Sequence, residues 1–523
     1  MFERRDVLKI GLGSLAAGIL WPPEGAVLAQ SAPSGQPAAP AGFAFGNPTP
    51  FQANVVKDAA RALAKSAFKP VSADLPASFR NLSYDQYVAI RGKPGTALWI
   101  NQKFGFALEP LHRGFIFSSP VEINIVTQGQ ARHLIYDPSL YDFGKLAVRG
   151  DIGDIGFSGF RVLTPQDGKG FAEIATFQGA SFFRAVAEGQ NPGTMARALS
   201  IKTADPHGEE FPMIRSYWIE QPTLADDMLV IHALIDSESV SGAYRFTLRP
   251  GEATIIDTEC TLYPRVNVDN FGLATMSATV VSDAIDHRRP DDTRPIIAEI
   301  GGIQMSTGKG EWIWRPASNR DTLQISTFVD EHPRGFGFLQ RDRRFDRYQD
   351  DDQHWELRPS LWIEPIGDWS AGGVQLIEIP SESETNDNII AYWRPQQALI
   401  AGNETSFAYR QFWCWEPPDR PPLAIVTDTR SGHGSGGHRR RFLVEFTGDR
   451  LGDVHESQSI KAVLSASPGT IISTRQFPMP NAKVYRVLFE LDPGNEAYSE
   501  MRLVLEAADG KPLSETWLYR WTR

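Results

Sequence analysis

The stretch GAYRFTLRPGEATIIDTECTLYP, Gly242 to Pro264, decides the fold class. Tyr244, Phe246 and Leu248 alternate with Arg245, Thr247 and Arg249, the period of a strand with one apolar and one polar face. Arg249-Pro250-Gly251 then supplies turn chemistry, and a second run of alternating residues follows. That is a β-hairpin. Segments of the same kind recur along the chain: HLIYDP, GFRVLTP, LQISTFV and GVQLIEIP. The 45 Gly, 37 Pro and 11% aromatic content of the 523 residues favour an all-β protein with many turns. No fixed-period repeat is visible, which argues against a propeller or a solenoid.

Helical spacing is confined to the start. Apolar residues at 55, 56, 59, 60, 63 and 64 predict a helix within Asn54–Phe68, and Ser83 predicts the cap of a short helix reaching Tyr87. Proline-rich polar stretches near 395–403 and 416–422 interrupt the strand pattern. Short strands follow them, at Arg441–Thr447, Val484–Leu491, Met501–Ala507 and Thr516–Trp521. The expected organisation is a large two-layer β-sandwich over 51–396 and a small immunoglobulin-like β-sandwich over 402–523.

The first thirty residues, MFERRDVLKIGLGSLAAGILWPPEGAVLAQ, read as an address. Arg4 and Arg5 precede an apolar run from Ile10 to Trp21, and Val27-Leu28-Ala29 resembles a cleavage site. The run is too short for the roughly 20 residues a membrane span needs, so 1–29 reads as a twin-arginine export signal. Residues 30–50, rich in Ala, Pro, Gly and Ser, read as a linker. No later stretch is apolar enough to span a membrane. The net charge of -11 argues against nucleic acid as a partner. It does not change on signal removal, since Arg4, Arg5 and Lys9 balance Glu3, Asp6 and Glu24. Cys260 and Cys414 are read as buried thiols, with no metal-ligand pattern around either.

Three segments carry residue types suited to sugar chemistry. In GKGEWIWRP (308–316), Trp312 and Trp314 should share a strand face, opposite Glu311, Ile313 and Arg315. Exposed, the indoles would be platforms for pyranose rings; the alternative is core packing. In GFGFLQRDRRFDRYQDDDQHWELRPSLWIEP (335–365), Tyr348, Trp355 and Trp362 interleave with Arg343, Arg347 and Arg358. Aromatic faces beside forked guanidinium donors suit hydroxyl-rich ligands, although a charged run is often just a solvated loop. In ESETNDNIIAYW (382–393), Glu382, Glu384 and Asp387 crowd a turn ahead of an apolar strand. The local reading there is a structural turn; an EF-hand does not fit the spacing.

These segments, with DIGFSGFRV (154–162), QGASFFRAV (178–186), GEEFP (208–212), ALIDSESVSGAYRF (233–246) and LSETWLYRW (513–521), occur in an order that resembles the periplasmic osmoregulated-glucan biosynthesis proteins of the OpgG/OpgD type. The resemblance covers essentially all of the mature chain. It implies a galactose mutarotase-like N-terminal β-sandwich with an immunoglobulin-like C-terminal one, a periplasmic location, and β-1,2-glucan as substrate. Candidate partners besides the glucan are the inner-membrane glucan synthase and a second copy of the chain in a homodimer. No metal or organic cofactor is called for.

Hydrolytic members of that family cut the glucan internally with inversion. Their general acid corresponds to Asp387, with Glu384 as neighbouring support. Their proposed base, an aspartate after a histidine, falls on Glu299, with Ala298 in the histidine's place. The extra methylene moves the acceptor by about 1 Å, a displacement that costs on the order of 100-fold in rate. An inverting pair needs a separation of roughly 6.5–9.5 Å. Trp312, Trp314, Arg315, Tyr348, Trp355, Arg358 and Trp362 are the residues expected to line the cleft. Three activities follow from the resemblance: an inverting endo-β-1,2-glucanase, a transglycosylase that branches or cyclises the glucan, and a non-catalytic glucan-binding factor.

Overall fold

The computed structural model describes residues 42–148, 152–166, 168, 170–285, 291–451, 459–479 and 483–523. The export signal expected over 1–29 lies outside the described residues. The fold is all-β. Contact density separates two compact units, one of residues up to Thr275 with Tyr392–Trp413, the other of Met276–Ala391 with Cys414–Arg523. This division differs from a break between residues 396 and 402.

The first unit is organised around the opening hairpin. Val240–Arg249 pairs antiparallel with Thr254–Pro264, Tyr244 opposite Cys260 and Leu248 opposite Ile256. Leu229–Asp236 and Met213–Glu220 extend this sheet on one side, and Thr405 onward pairs on the other. The alternation has its expected result. Tyr244, Phe246 and Leu248 are buried, while Arg245 and Arg249 form ion pairs with Glu259 and Asp257 on the other face.

A second sheet contains Gly159–Gln166, Gly170–Gln178 and Phe182–Ala185. It contributes a stack of Phe160, Phe177 and Phe183, whose ring centroids are 5.3 and 5.2 Å apart. Phe246 meets Phe177 at 5.5 Å and Phe183 at 5.2 Å, and Tyr217 meets Phe160 edge-on at 5.0 Å. Burying each such ring stabilises the fold by about 1.5–3 kcal/mol, so this interleaved aromatic layer is the core of the sandwich.

The predicted helix forms over Asn54–Ala64, and Val56 and Ala60 pack with Phe51, Leu234, Ala243 and Tyr263. The second helix, Tyr84–Val88, has the expected Ser83 cap, completed into a capping box by Gln86. The linker expectation fails for its last residues. Ala44–Phe45 and Thr49–Pro50 both pair with Gln130–Ile135, because an extended segment there satisfies an otherwise open sheet edge.

In the second unit, Ser360–Ile366, Gly335–Leu339, Gly302–Ser306 and Trp312–Pro316 form neighbouring strands. Thr516–Thr522 then joins Trp312–Pro316 in parallel, Trp314 opposite Trp517. Tyr498–Glu506 and Lys461–Ser467 continue outward. Facing them is a four-stranded sheet of Ile425–His433, Arg440–Thr447, Val484–Asp492 and Thr470–Pro478. Trp517 and Tyr519 from one layer pack against Phe442 and Phe489 from the other, which makes the expected small β-sandwich. Cys260 and Cys414 are buried, and neither is in a disulfide. Among the described residues no helix is long and apolar enough to cross a membrane.

Candidate active site

The site is built where the ETNDN turn returns into the strand Ile389–Pro395. Asn388 fixes that entry. It is buried, and its side chain behaves like an extra peptide group. Its Oδ1 accepts the Val280 N–H (2.8 Å), and its Nδ2 donates to the carbonyls of Val280 (2.9 Å) and Ile379 (3.1 Å). Its own N–H donates to Ala278 O at 3.1 Å. The turn is thereby clamped across the segment 278–280. An orphaned buried donor or acceptor costs about 1–3 kcal/mol, so this arrangement leaves the turn little freedom.

Asp387, one residue earlier, is half-buried and faces the same segment. Its Oδ2 accepts the Ser277 hydroxyl at 2.5 Å, and its Oδ1 lies 3.5 Å from Thr279 Oγ1. The Thr279 hydroxyl donates to Asn386 O at 3.1 Å. Glu299 also reaches Thr279, at its backbone. Val280–Ser282 and Ile297–Ala298 pair antiparallel, and Glu299 N–H donates to Thr279 O at 2.9 Å. The Glu299 side chain is 7% exposed and accepts the Thr279 N–H through Oε2 at 3.0 Å.

Thr279 is therefore touched by both candidate carboxylates. Its nitrogen and hydroxyl are about 3 Å apart by covalent geometry, so the two carboxylate oxygens are separated by no more than roughly 10 Å. A pair held at or inside that bound can flank one glycosidic bond, one carboxyl group supplying a proton and the other accepting one.

Glu384 sits on the same turn and pairs with Arg294 at 2.8 Å. Arg294 also reaches Asp350 at 2.8 Å and Asp292 at 2.8 Å. Asp350 in turn accepts Trp355 Nε1–H at 2.8 Å and the N–H groups of Asp352 and Gln353. One guanidinium thus ties the acid-bearing turn to the 350–358 loop. Its charge and hydrogen bonds hold Asp292 down to about 2, and Arg294's own pKa is raised, chiefly by Asp292.

The expected sugar platforms are placed differently. Trp314 is buried beneath the Arg341 guanidinium, 3.6 Å from its ring centroid. Arg315 is 1% exposed and donates to Glu378 (2.9 Å) and Pro316 O (2.6 Å), with burial lowering its pKa. Trp362 is fully buried. A Cβ on Gly335 would come within 2.4 Å of it, so GFGF is glycine-spaced to admit this indole. Trp312 is half-buried and stacks on Trp362 at 6.0 Å. The cleft-lining expectation is corrected to core packing for Trp314, Arg315 and Trp362, because each side chain is buried by its neighbours.

Tyr348 and Trp355 are also buried, at 3% and 2% exposure, but they serve the site. With Val281 and Ile297 they form one apolar cluster under the strand pair that carries Thr279 and Glu299. Their cleft-lining role is corrected to a supporting floor. Arg358 is half-buried, stacks 5.0 Å over Trp355 and donates to Gln353. Asn388, read from the sequence as positional support for Asp387, takes that place here, whereas Ser277, Thr279, Arg294 and Asn319 were not singled out as site residues by sequence reasoning. Asn319 joins through its hydrogen bonds to Ser381 and Asn388. No local pattern marks Ser277, Thr279 or Arg294; they meet only in the fold. Among the described residues no cluster of His, Cys, Asp and Glu could hold a metal ion.

Comparison with known proteins agrees with this picture at the level of family. A family model described as "Periplasmic glucan biosynthesis protein, MdoG" matches residues 51–521. "Glucans biosynthesis protein G" of Vibrio cholerae serotype O1 is 41% identical over 477 residues, covering 90% of this chain and 87% of that one. The protein of the same name from Shewanella sp. strain MR-4 is 41% identical over 479 residues, with the same coverage. Among solved structures, a galactose mutarotase related enzyme from Lactobacillus acidophilus aligns with 45% of this chain and 96% of its own, at 7% identity and a TM-score of 0.20.

Proposed function

The chain belongs to the periplasmic glucan biosynthesis family, and from that premise we propose that it is an inverting endo-β-1,2-glucanase acting on the glucan backbone. Asp387 is the general acid and Glu299 the general base. The observation that carries this reading is their convergence on Thr279, which caps their separation at roughly 10 Å, a limit that admits an inverting pair. Asp387, half-exposed and held by the Ser277 hydroxyl, is oriented to give its proton to a departing sugar oxygen. Glu299, its Oε2 accepting the Thr279 N–H, takes the proton of a water or a sugar hydroxyl. Export follows the twin-arginine route.

The test is mature protein with linear β-1,2-glucan, followed by product sizing and a reducing-end assay. Hydrolysis shortens the chains and raises reducing ends in step; intact chains at every enzyme load would overturn the reading. A second reading, transglycosylation, is favoured by one observation: Glu299 is only 7% exposed, which restricts water at the base. It predicts altered product masses with no gain in reducing ends.

A further inference from the structure

A cavity of about 560 Å3 lies in the second unit, away from the Asp387 turn. Its walls are the QRDRR segment, Gln340–Arg344, with Arg347, and the WEPPDRPP segment around Trp415 and Arg420. That volume suits a small ligand.

The charges on its walls do not cancel. Asp342 is held by both Arg344 and Arg347. Asp428 meets Arg347 and Arg430, and Glu445 meets Arg430 and Arg486. Arg420 contacts Glu416, and Arg341 is bidentate on Glu515. Each of these carboxylates already has a guanidinium, and three of them have two. Arg343 is left with no carboxylate partner among the described residues. It donates instead to Glu356 O (2.9 Å), Trp415 O (3.0 Å), Ser360 Oγ (3.2 Å) and Arg358 O, and its Nε is buried without a hydrogen-bond partner. Burial pulls its pKa down to about 10. A cation desolvated without a counter-ion is costly, and an anion entering the cavity offsets that cost.

Two further features point to what carries the anion. The Arg343 guanidinium lies 5.0 Å from the Trp415 ring, so a half-buried indole borders the charge and offers a flat face of the kind a sugar ring packs on. Arg344 and Arg420 have side chains 63% and 65% exposed and come from the two separate segments that line the cavity, where they can swing onto an entering oxyanion. A smaller cavity of about 100 Å3 shares the Arg341, Arg347 and Asp428 walls and extends to Ala298, the residue before Glu299.

We propose that this arginine-lined cavity binds an anionic sugar, its phosphoryl or carboxylate group held by Arg344 and Arg420 in the field of the Arg343 charge and its ring against Trp415. The test is calorimetric titration of the mature full-length protein with glucose 6-phosphate, glucose and inorganic phosphate. Glucose 6-phosphate is expected to bind at least about ten-fold tighter than glucose, through charge-assisted hydrogen bonds, and tighter than phosphate alone. Its affinity should fall as NaCl is raised. The double variant Arg344→Gln/Arg420→Gln, which leaves the Arg343 backbone contacts intact, should lose most of that binding with an unchanged melting temperature. Equal affinities for glucose and its phosphate, no binding of either, phosphate alone binding as well as the sugar phosphate, or a double variant that binds as wild type would each overturn the proposal. None of these measurements requires glucan turnover, so the proposal and the glucanase reading fail separately.

Discussion

The ETNDN turn and the WIWRP strand look equally promising in sequence, yet the fold treats them in opposite ways. The turn presents Asp387, half-buried, to two hydroxyl groups. The strand buries Trp314 and Arg315 and stacks Trp312 on Trp362. The turn is held in place by polar clamps, Asn388 on Val280 and Arg294 on Glu384, whereas the strand is held by buried aromatic surface and the 350–358 loop by Trp355 in its apolar cluster together with Arg294 on Asp350. Chemistry should therefore be lost by small changes at the turn and its partner Glu299. Stability should be lost by truncation in the aromatic region.

The sharpest contrast is between two substitutions. Glu299→Gln should cut turnover about 1000-fold, within the range for losing a general base. Its melting temperature should move little, because the amide oxygen still accepts the Thr279 N–H. Trp355→Ala should do the reverse, destabilising the fold by about 3–5 kcal/mol in denaturant titration while the folded fraction keeps measurable turnover. A Glu299→Gln variant that melts early but turns over normally would collapse the distinction.

Asn388→Ala sharpens it from the polar side. Orphaning the Val280 N–H and carbonyl should cost about 1–3 kcal/mol. Freeing Asp387 should also lower kcat more than it raises KM, and move the alkaline limb of the pH–rate profile, the limb a general acid sets. A purely structural role would leave that profile in place.

Arg294→Gln is milder, since the side chain acts through Glu384 and Asp350 rather than on substrate; a loss of about ten-fold in kcat is expected. The smallest effect is in acid. Asp292 is held near 2, and Asp350 is also lowered, its burial being outweighed by Arg294 and N–H donors. Both carboxylates bind protons later in the folded state than in the unfolded chain. The stability they confer is complete above about pH 4 and is lost as pH falls toward 2. The hydrogen-exchange protection of the 350–358 amides, relative to their intrinsic rates, should fall across that window, and less so in Arg294→Gln.

Much of the fold was legible because strand alternation is a local property. Gly242–Pro264 gave both strands and their buried face, and Ser83 gave its helix start. The same property misled at Trp312 and Trp314. Alternation says which side chains share a face, but not whether a distant guanidinium, here Arg341 over Trp314, or another indole will cover it. The proposed acid, Asp387, was legible only through whole-chain resemblance, since its own stretch reads as a turn. Ser277 and Thr279 were not legible at all. They sit in a buried strand region, and their role comes from meeting residues 299 and 387, which are far away in the chain.

The central claim, that Asp387 and Glu299 form an inverting acid–base pair, is tested most directly by polarimetry of linear β-1,2-glucan cleavage by wild type and Asp387→Asn. Wild type should release the new reducing end in the inverted configuration, relaxing by mutarotation afterwards, and Asp387→Asn should give no signal under the same conditions. Release with retained configuration, or an Asp387→Asn protein that turns over like wild type, would contradict the account.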